Sequence, residues 1–311
     1  MVMRQSLLWL SERQQVFNFV RRNGLARKFA SRFVAGETVD SAVAAVRELN
    51  AKGISASLDL LGESVTKPAE AAHARDEYLT MLDRIAESGV NANVSVKLTQ
   101  MGLDIGGEIC FANMTAILAK AKQYRTFVRL DMEGSAYTQQ TLDFFIDRLF
   151  QEYGAYSGVV IQSCMRRSPA DIEKLVRLKV RVRLCKGAYL EPPEVAYAAK
   201  AEVDRAYLSL MERLLLDGNY PALATHDEAI INHAREFAAR NSIGRDRFEF
   251  QMLYGIRRDL QERLRQQGYN VRVYIPFGTQ WYPYLMRRLA ERPANIAFIL
   301  GNVVKELMPG L

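Results

Sequence analysis

Cysteine and histidine are both scarce in this chain, whose 311 residues include three of each. Cys110, Cys164 and Cys185 are widely spaced and odd in number, which excludes a disulfide framework. Such a composition favours a reducing compartment, so we expect a cytoplasmic protein. The cysteines and histidines form no ligand pattern, and no metal site is predicted.

Long hydrophobic runs are absent as well. No apolar stretch reaches the roughly 18 residues that a membrane-spanning helix needs, and the apolar run near the start is too short for a signal peptide. The formal net charge of +7 still allows an anionic partner. The basic N-terminal segment lacks the interleaved aromatics of a single-strand nucleic-acid site. We therefore expect no nucleic-acid partner, and at most peripheral contact with the inner face of the cytoplasmic membrane.

Glycine-rich phosphate motifs are also missing. Neither G-x-G-x-x-G nor G-x-x-x-x-G-K-[ST] occurs, so the sequence supports neither a Rossmann dinucleotide site nor a P-loop.

What the chain does contain is an alternation of β-rich and helical segments. After a helical arm, residues 1–45, the remainder, residues 46–311, carries eight candidate strands separated mostly by helical stretches. The candidate strands are residues 54–63, 91–99, 126–134, 158–164, 180–187, 221–227, 247–253 and 270–278. Strands that alternate with helices form parallel sheets, and eight such units predict a (β/α)8 TIM-type barrel.

These strands are polar on one side. In NVSVKLT, for example, Ser95, Lys97 and Thr99 share a face. Because the outer helices pack on the apolar side, the polar side must point to the barrel axis. We expect some of these charges, Asp59, Arg129, Arg181 and Arg272 among them, to pair in the lower layers.

Polar residues near the carboxyl ends of the strands predict a polar ligand larger than water, because this end holds the active site in such barrels. They are Glu63, Lys97, Asp131, Gln162, Arg183, Lys186, His226, Gln251 and Tyr274. From its position alone, His226 is as consistent with a structural hydrogen bond as with ligand contact.

Two short stretches are candidates for ligand binding. In RLCKGAY, small residues after a strand let a cofactor approach the backbone, although an ordinary turn explains them equally well. In YLMRRLAERPAN, Tyr284 shares a helix face with Arg287 and Arg288. Paired arginines suit a carboxylate, and this pattern is more specific than a solvated surface.

The motifs DLLGE, SVKLT, RLDMEG, RLCKGAY, ATHD, FEFQMLYGIR and YLMRRLAERPAN occur in this order. With them the chain resembles the proline dehydrogenase family, in its short monofunctional form. The resemblance implies a distorted barrel with its last helix over the mouth and non-covalently bound FAD. It also implies oxidation of L-proline to Δ1-pyrroline-5-carboxylate in proline catabolism, with electrons passed to a membrane quinone.

The resemblance further implies the roles of individual residues. Asp131 and Arg183 match catalytic positions. The substrate site would comprise Lys97, Arg287, Arg288, Glu291, Tyr274, Tyr284, Leu253, Ala188, Tyr189 and Glu63, with Glu63 as a gate that pairs with Arg287. FAD contacts would come from Met132, Gln162, Arg183, Lys186, Gly187, Ala188, Thr225 and His226.

Two alternatives stay open from sequence alone. One is another FAD-dependent barrel oxidoreductase, such as a methylenetetrahydrofolate reductase relative with a nicotinamide donor. The other is a basic adaptor that binds polyanions through the N-terminal arm, which would leave the polar barrel interior unexplained.

Overall fold

A closed barrel of eight parallel strands forms the centre of the protein. The structure, a computed structural model, describes residues 30–189, 191–282 and 284–285. The strands are β1 Ser55–Leu60, β2 Ala92–Val96, β3 Val128–Leu130, β4 Ser157–Gln162, β5 Arg181–Cys185, β6 Ala222–Ala224, β7 Glu249–Leu253 and β8 Asn270–Phe277. Each pairs with the next along the chain, and β8 closes on β1. Each also overlaps one of the predicted strands, so the (β/α)8 TIM-type fold is confirmed.

Helices surround the barrel. They are α1 Val39–Ala51, α2 Pro68–Ser88, α3 Gly107–Gln123, α4 Ser135–Asp143, α5 Phe150–Tyr153, α6 Ser168–Arg177, α7 Lys200–Asp217, α8 Glu228–Arg240 and α9 Arg258–Gln266. A π-helical segment, Phe144–Leu149, joins α4 to α5, and a 3-10 turn, Gly154–Tyr156, precedes β4. Across the described part of the chain, no helix is long and apolar enough to cross a bilayer.

Helix α1 begins at a capping box in which Thr38 and Ser41 bond each other's backbone. Its buried residue Val46 joins the barrel core beside Leu58 of β1. Residues 1–29 of the predicted arm, and most of the helix predicted over the barrel mouth, lie outside the described residues.

The apolar core lies between the outer surface of the barrel and the helices. Alternate residues of β8, Val271, Val273 and Ile275, are buried there, as are Ile230 and Ala234 on the inner face of α8. Each Val, Leu or Ile side chain buried in this way stabilises the fold by about 1.5–3 kcal/mol. The apolar side chains of the strands therefore point outward to the helices, and the polar side chains point to the barrel axis.

The base of the barrel is filled by charged side chains. Arg272 donates from Nε to both oxygens of Glu249 at 3.0 and 3.2 Å. Arg129 instead donates from Nη1 to the carbonyls of Arg181 and Val159, at 2.5 and 3.3 Å. The predicted pairing in the lower layers therefore holds for Arg272, whereas Arg129 donates to backbone carbonyls and its Nε is buried without a partner among the described residues.

Aromatic rings complete this base. The Arg181 guanidinium lies 4.4 Å from the ring centre of Phe127 and 4.6 Å from that of Tyr220, a distance at which cation–π attraction operates. Gly158 provides the necessary space, because a Cβ there would lie 2.2 Å from the Arg181 carbonyl oxygen and 2.7 Å from Arg129 Nη1. Among the described residues, backbone carbonyls and aromatic rings thus contact these two arginines, and no carboxylate forms an ion pair with either.

Candidate functional site

Asp131 is the centre of a hydrogen-bonded group at the carboxyl end of the strands. It directly follows β3, and its amide continues the parallel ladder by donating to the Val96 carbonyl at 2.8 Å. Arg183 of β5 donates from Nη1 to Asp131 Oδ1 at 2.6 Å, and the Tyr274 hydroxyl of β8 donates to Oδ2 at 2.7 Å. One carboxylate thereby connects three strands across the barrel.

Arg183 is buried and fixed from several directions. Its Nη2 donates to Ser95 Oγ at 3.0 Å, and Ser95 in turn lies 3.1 Å from Ser57 Oγ. The guanidinium carbon is 5.2 Å from the ring centre of Tyr274. Its Nε, by contrast, is buried without a hydrogen-bond partner among the described residues. A buried, rigid cation with one unused donor is suited to an anionic or acceptor-rich ligand.

Tyr274 is held as a neutral phenol. Burial and the neighbouring carboxylates of Asp131 and Asp59 raise its pKa well above the ordinary value. The hydroxyl therefore keeps its proton at physiological pH and can donate it to Asp131.

Lys97 lies one residue past the end of β2, and its ammonium is 3.0 Å from Asp59 Oδ1. Burial disfavours the charge on Lys97, but the carboxylates of Asp59 and Asp131 outweigh it and raise its pKa. Burial also dominates at Asp59, whose pKa is raised because attraction to Lys97 offsets desolvation only in part. The contact between Lys97 and Asp59 is an ion pair, because a buried ammonium requires a charged partner.

Gly187 in RLCKGAY cannot carry a side chain without strain. Its φ is +107°, and a Cβ would lie 2.4 Å from Cys164 Sγ and 3.2 Å from Gln162 Oε1. Gln162 is itself fixed, since its Nε2 donates to the Glu133 carbonyl at 2.9 Å. The backbone after β5 is therefore bare at this point and lies beside an anchored amide.

Lys186 is held by two carboxylates, at 2.6 Å from Asp204 and 3.0 Å from Asp227. Burial raises the pKa of both carboxyls, but hydrogen bonds from Lys186 together with the nearby charge of Lys200 more than offset it and leave each lowered. Asp227 also caps α8, accepting from the Ala229 amide at 3.2 Å. These contacts fix the ammonium beside the turn that contains Gly187.

His226 accepts a hydrogen bond at Nε2 from the Leu253 amide at 2.9 Å. When the ring is neutral, its proton must then be on Nδ1. Thr225, which precedes it, is buried and accepts from the Asp227 amide at 3.1 Å. The structural hydrogen bond, one of the two alternatives for His226, is thus present.

The other predicted residues are spread over the strand ends and the loops that follow them. Met132 is buried after β3, Leu253 ends β7, Glu63 follows β1, and Ala188 and Tyr189 follow Gly187. Tyr284 is buried in a small apolar cluster with Leu61 and Trp281, among others. Arg287, Arg288 and Glu291 lie outside the described residues.

Sequence reasoning gave no role to two residues of the site. Ser95, which anchors Arg183, was distinguishable only as part of the polar face of β2. Glu133 is buried and accepts from the Thr99 hydroxyl at 2.6 Å and from the Thr99 amide at 3.3 Å. The signal that could have identified Glu133 was its position two residues after Asp131, which places both side chains on the same side of the chain.

A closed parallel barrel with an anchored cluster of charges at its carboxyl end has the architecture of (β/α)8 barrel enzymes. The chain belongs to the proline dehydrogenase family, whose model matches residues 42–300. It is 43% identical to the proline dehydrogenase of Deinococcus radiodurans over 306 residues, covering 97% of this chain and 98% of that one. It is 42% identical to proline dehydrogenase 1 of Bacillus subtilis strain 168, over 98% of this chain and 100% of that protein.

Among solved structures, proline utilization A from Bdellovibrio bacteriovorus, inactivated by N-propargylglycine, matches with a TM-score of 0.81 at 26% identity. The match covers 89% of this chain and 34% of that one, so this chain spans about a third of that longer protein. The Deinococcus and Bacillus proline dehydrogenases, by contrast, are matched over almost their whole length.

Proposed function

We propose that the protein oxidises L-proline to Δ1-pyrroline-5-carboxylate with FAD as cofactor, as the first step of proline catabolism, and passes the electrons to a membrane quinone. The observation that carries this proposal is the group formed by Arg183, Asp131 and Tyr274 beside the Lys97 ammonium. It combines fixed cations with a neutral phenol at the end of the barrel where ligands bind. Family membership identifies proline as the substrate to test first.

The substrate carboxylate would be bound by cations. Lys97 is a charged, largely buried donor, and Arg287 and Arg288 would add forked donors suited to a carboxylate. Glu291 would pair with one arginine, and Glu63 would close the site against Arg287. The walls of the ring site would come from Leu253, Ala188, Tyr189, Tyr274 and Tyr284.

The residues present fit a flavin. Gly187 leaves backbone exposed where any side chain would collide with Cys164, and Arg183 keeps one buried donor unused. We propose that FAD is held non-covalently by Met132, Gln162, Arg183, Lys186, Gly187, Ala188, Thr225 and His226. When bound, FAD supplies the two-electron acceptor that the reaction needs, taking a hydride at N5.

The protein's own task is orientation and charge placement. Converting the C–N single bond of proline to C=N removes a hydride from carbon and a proton from nitrogen. Clamping the carboxylate would fix the rotation of the ring, and holding a reactant in one orientation lowers the barrier to reaction. The cationic surroundings disfavour the ammonium form of the substrate, and Arg183 would stabilise negative charge that develops beside it. Asp131, already bonded to Arg183 and Tyr274, orients this group.

We further propose that the enzyme is cytoplasmic and visits the inner face of the membrane to meet its quinone. The basic residues within positions 1–36 would attract anionic lipid. Comparing liposome binding of the full chain with that of a chain lacking residues 1–36 tests this, and undiminished binding would contradict it.

An absorption spectrum of the purified protein, taken before and after anaerobic addition of L-proline, tests the proposed function. We expect flavin bands at roughly 380 and 450 nm that bleach with proline. Bands that respond to NADH and not to proline would favour the methylenetetrahydrofolate reductase alternative. A protein that remains colourless after FAD is added would refute the flavin assignment.

A further inference from the structure

Asp59 is almost completely enclosed in the barrel, with 1% of its side chain exposed, whereas 13% of Lys97 is exposed. Asp59 is the penultimate residue of β1 and lies opposite Ser95 of β2 in the ladder. Lys97 is two residues further along the chain than Ser95, so its side chain turns back toward the axis to reach the carboxylate. The flexible lysine stem is thus anchored at its charged end.

The surroundings of Lys97 offer few other partners. The charges that act on it come from Asp59 on β1, Asp131 on β3 and Tyr78 on α2. Both oxygens of Asp131 are already engaged, by Arg183 and by Tyr274 of β8. Tyr78 is also engaged, since its hydroxyl donates to the Ser95 carbonyl at 2.8 Å.

Glu133, which follows β3, also feels the charge of Lys97. Its two oxygens, however, accept from the hydroxyl and the amide of Thr99. Among the described residues, Asp59 is therefore the carboxylate that pairs directly with the ammonium.

We propose that Asp59 is a positioning residue for carboxylate recognition: it holds Lys97 in its charged form and directs the ammonium to the barrel axis, without touching the substrate. This inference deepens the proposed function, on which it rests. An unpaired lysine in the same largely buried place would lose its proton more readily, because desolvation acts against its charge. Asp59 thus keeps Lys97, one of the proposed cations of the carboxylate site, charged over the whole working pH range.

The test is the pH dependence of proline oxidation by wild type and by an Asp59→Asn variant, in which shape is kept and charge is lost. Between about pH 6 and pH 10, we expect the variant's KM, divided by that of wild type, to rise by about tenfold or more as Lys97 loses its proton. The kcat ratio should stay within about threefold, because ground-state binding is what changes.

Two further variants isolate the cause. Adding Lys97→Arg to Asp59→Asn should abolish the new pH dependence, since a guanidinium stays charged throughout. Asp83→Asn removes a partly exposed aspartate–lysine contact, 2.5 Å from Lys120 on the outer helices, and should leave the pH profile unchanged. A KM ratio that does not vary with pH, or an equal slope in the double variant, would overturn the proposal.

Failure of the proposed function has a different signature. If proline does not reduce the flavin of the wild-type protein, the proposed function is refuted. If the wild type is active and the KM ratio does not vary with pH, only the role of Asp59 is refuted.

If Asp59→Asn does not fold, the wild-type Lys97 side chain can be followed by NMR on lysine labelled with carbon-13, with Lys97→Arg for assignment. Lys97 should titrate above the other lysines, and titration among them or below them would also overturn the proposal.

Discussion

Arg272 of β8 and Glu249 of β7 form a buried ion pair at the base of the barrel, with Nε 3.0 and 3.2 Å from the two carboxylate oxygens. Burial raises the pKa of Glu249, but Arg272, with a hydrogen bond from Gln251 and the charge of Arg129, more than offsets it, so the pKa is lowered and the group is charged. Replacing one partner leaves the other charge buried and uncompensated.

We expect Glu249→Gln to lower the free energy of unfolding by about 3–5 kcal/mol, as measured by urea denaturation. Glu249→Gln combined with Arg272→Met removes both charges and should recover a large part of the loss. Equal losses in the single and the double variant would show that packing, and not charge, is responsible.

Gly187→Ala should weaken both folding and flavin retention, because its Cβ collides with Cys164 Sγ in a backbone conformation that favours glycine. Gly89→Ala is the matched control: its φ is +66°, but nothing lies within 4 Å of the added Cβ. We expect Gly89→Ala to cost about 1 kcal/mol and Gly187→Ala about 1–3 kcal/mol more.

Thermal unfolding, together with the ratio of flavin to protein absorbance, measures both effects. Adding Cys164→Ala should recover part of the loss in Gly187→Ala, because it removes the sulfur. Equal stability of the two alanine variants would contradict the steric explanation.

Asp204 and Asp227 make stability depend on pH at the acidic end, because Lys186 and Lys200 outweigh burial and lower both pKa values in the folded state. A lowered folded-state pKa means that the unfolded chain binds protons first. The stabilisation is therefore complete at pH values above the pKa of Asp in the unfolded chain, about 3.9, and is lost as pH falls through the pKa values of the two groups in the folded protein.

Asp227→Asn should reduce this acid dependence in urea denaturation between about pH 5 and pH 2. Asparagine is also a good N-cap, so the start of α8 is preserved. Lys186→Met should also flatten the curve, since each carboxylate then keeps only Lys200 of the two ammonium groups that lie near it. Parallel curves for all three proteins would refute the assignment.

Arg288→Lys should raise the KM for proline by about tenfold or more, the equivalent of one charge-assisted hydrogen bond. The reason is that a lone ammonium cannot reproduce the planar fork of a guanidinium. The kcat of the variant should change little. Arg240→Lys, in the last turn of α8, controls for a general change in charge chemistry. An unchanged KM would refute the role of Arg288 as a substrate clamp.

The fold was predictable because two patterns that define it can be read from neighbouring residues in the sequence. Alternation of strands and helices gave the barrel, and alternation within strands, as at Arg129 and Asp131, gave the polar interior. The rim positions of Asp131, Arg183 and Tyr274 followed, since the carboxyl ends of parallel strands meet at one edge.

The pairing of these side chains was not predictable in the same way. Asp59 was expected among the lower-layer charges, yet it pairs with Lys97 near the mouth, because the stagger between β1 and β2 decides which residues face each other. Lys186 pairs with Asp204 on α7. This pairing was not predictable, because the rotation of α7 about its own axis depends on packing against the whole barrel. The roles of Arg287, Arg288 and Glu291 remain predictions.

The contacts of Asp131 have a consequence for how this protein can be made. Its partners Arg183 and Tyr274 follow it by 52 and 143 positions, and Tyr274 belongs to the strand that closes the ring. Contacts between such distant positions form slowly, because a long chain segment must be ordered first. On a ribosome, the group cannot assemble until β8 has emerged. Any product of premature termination before Tyr274 would therefore lack both the closing strand and the complete site.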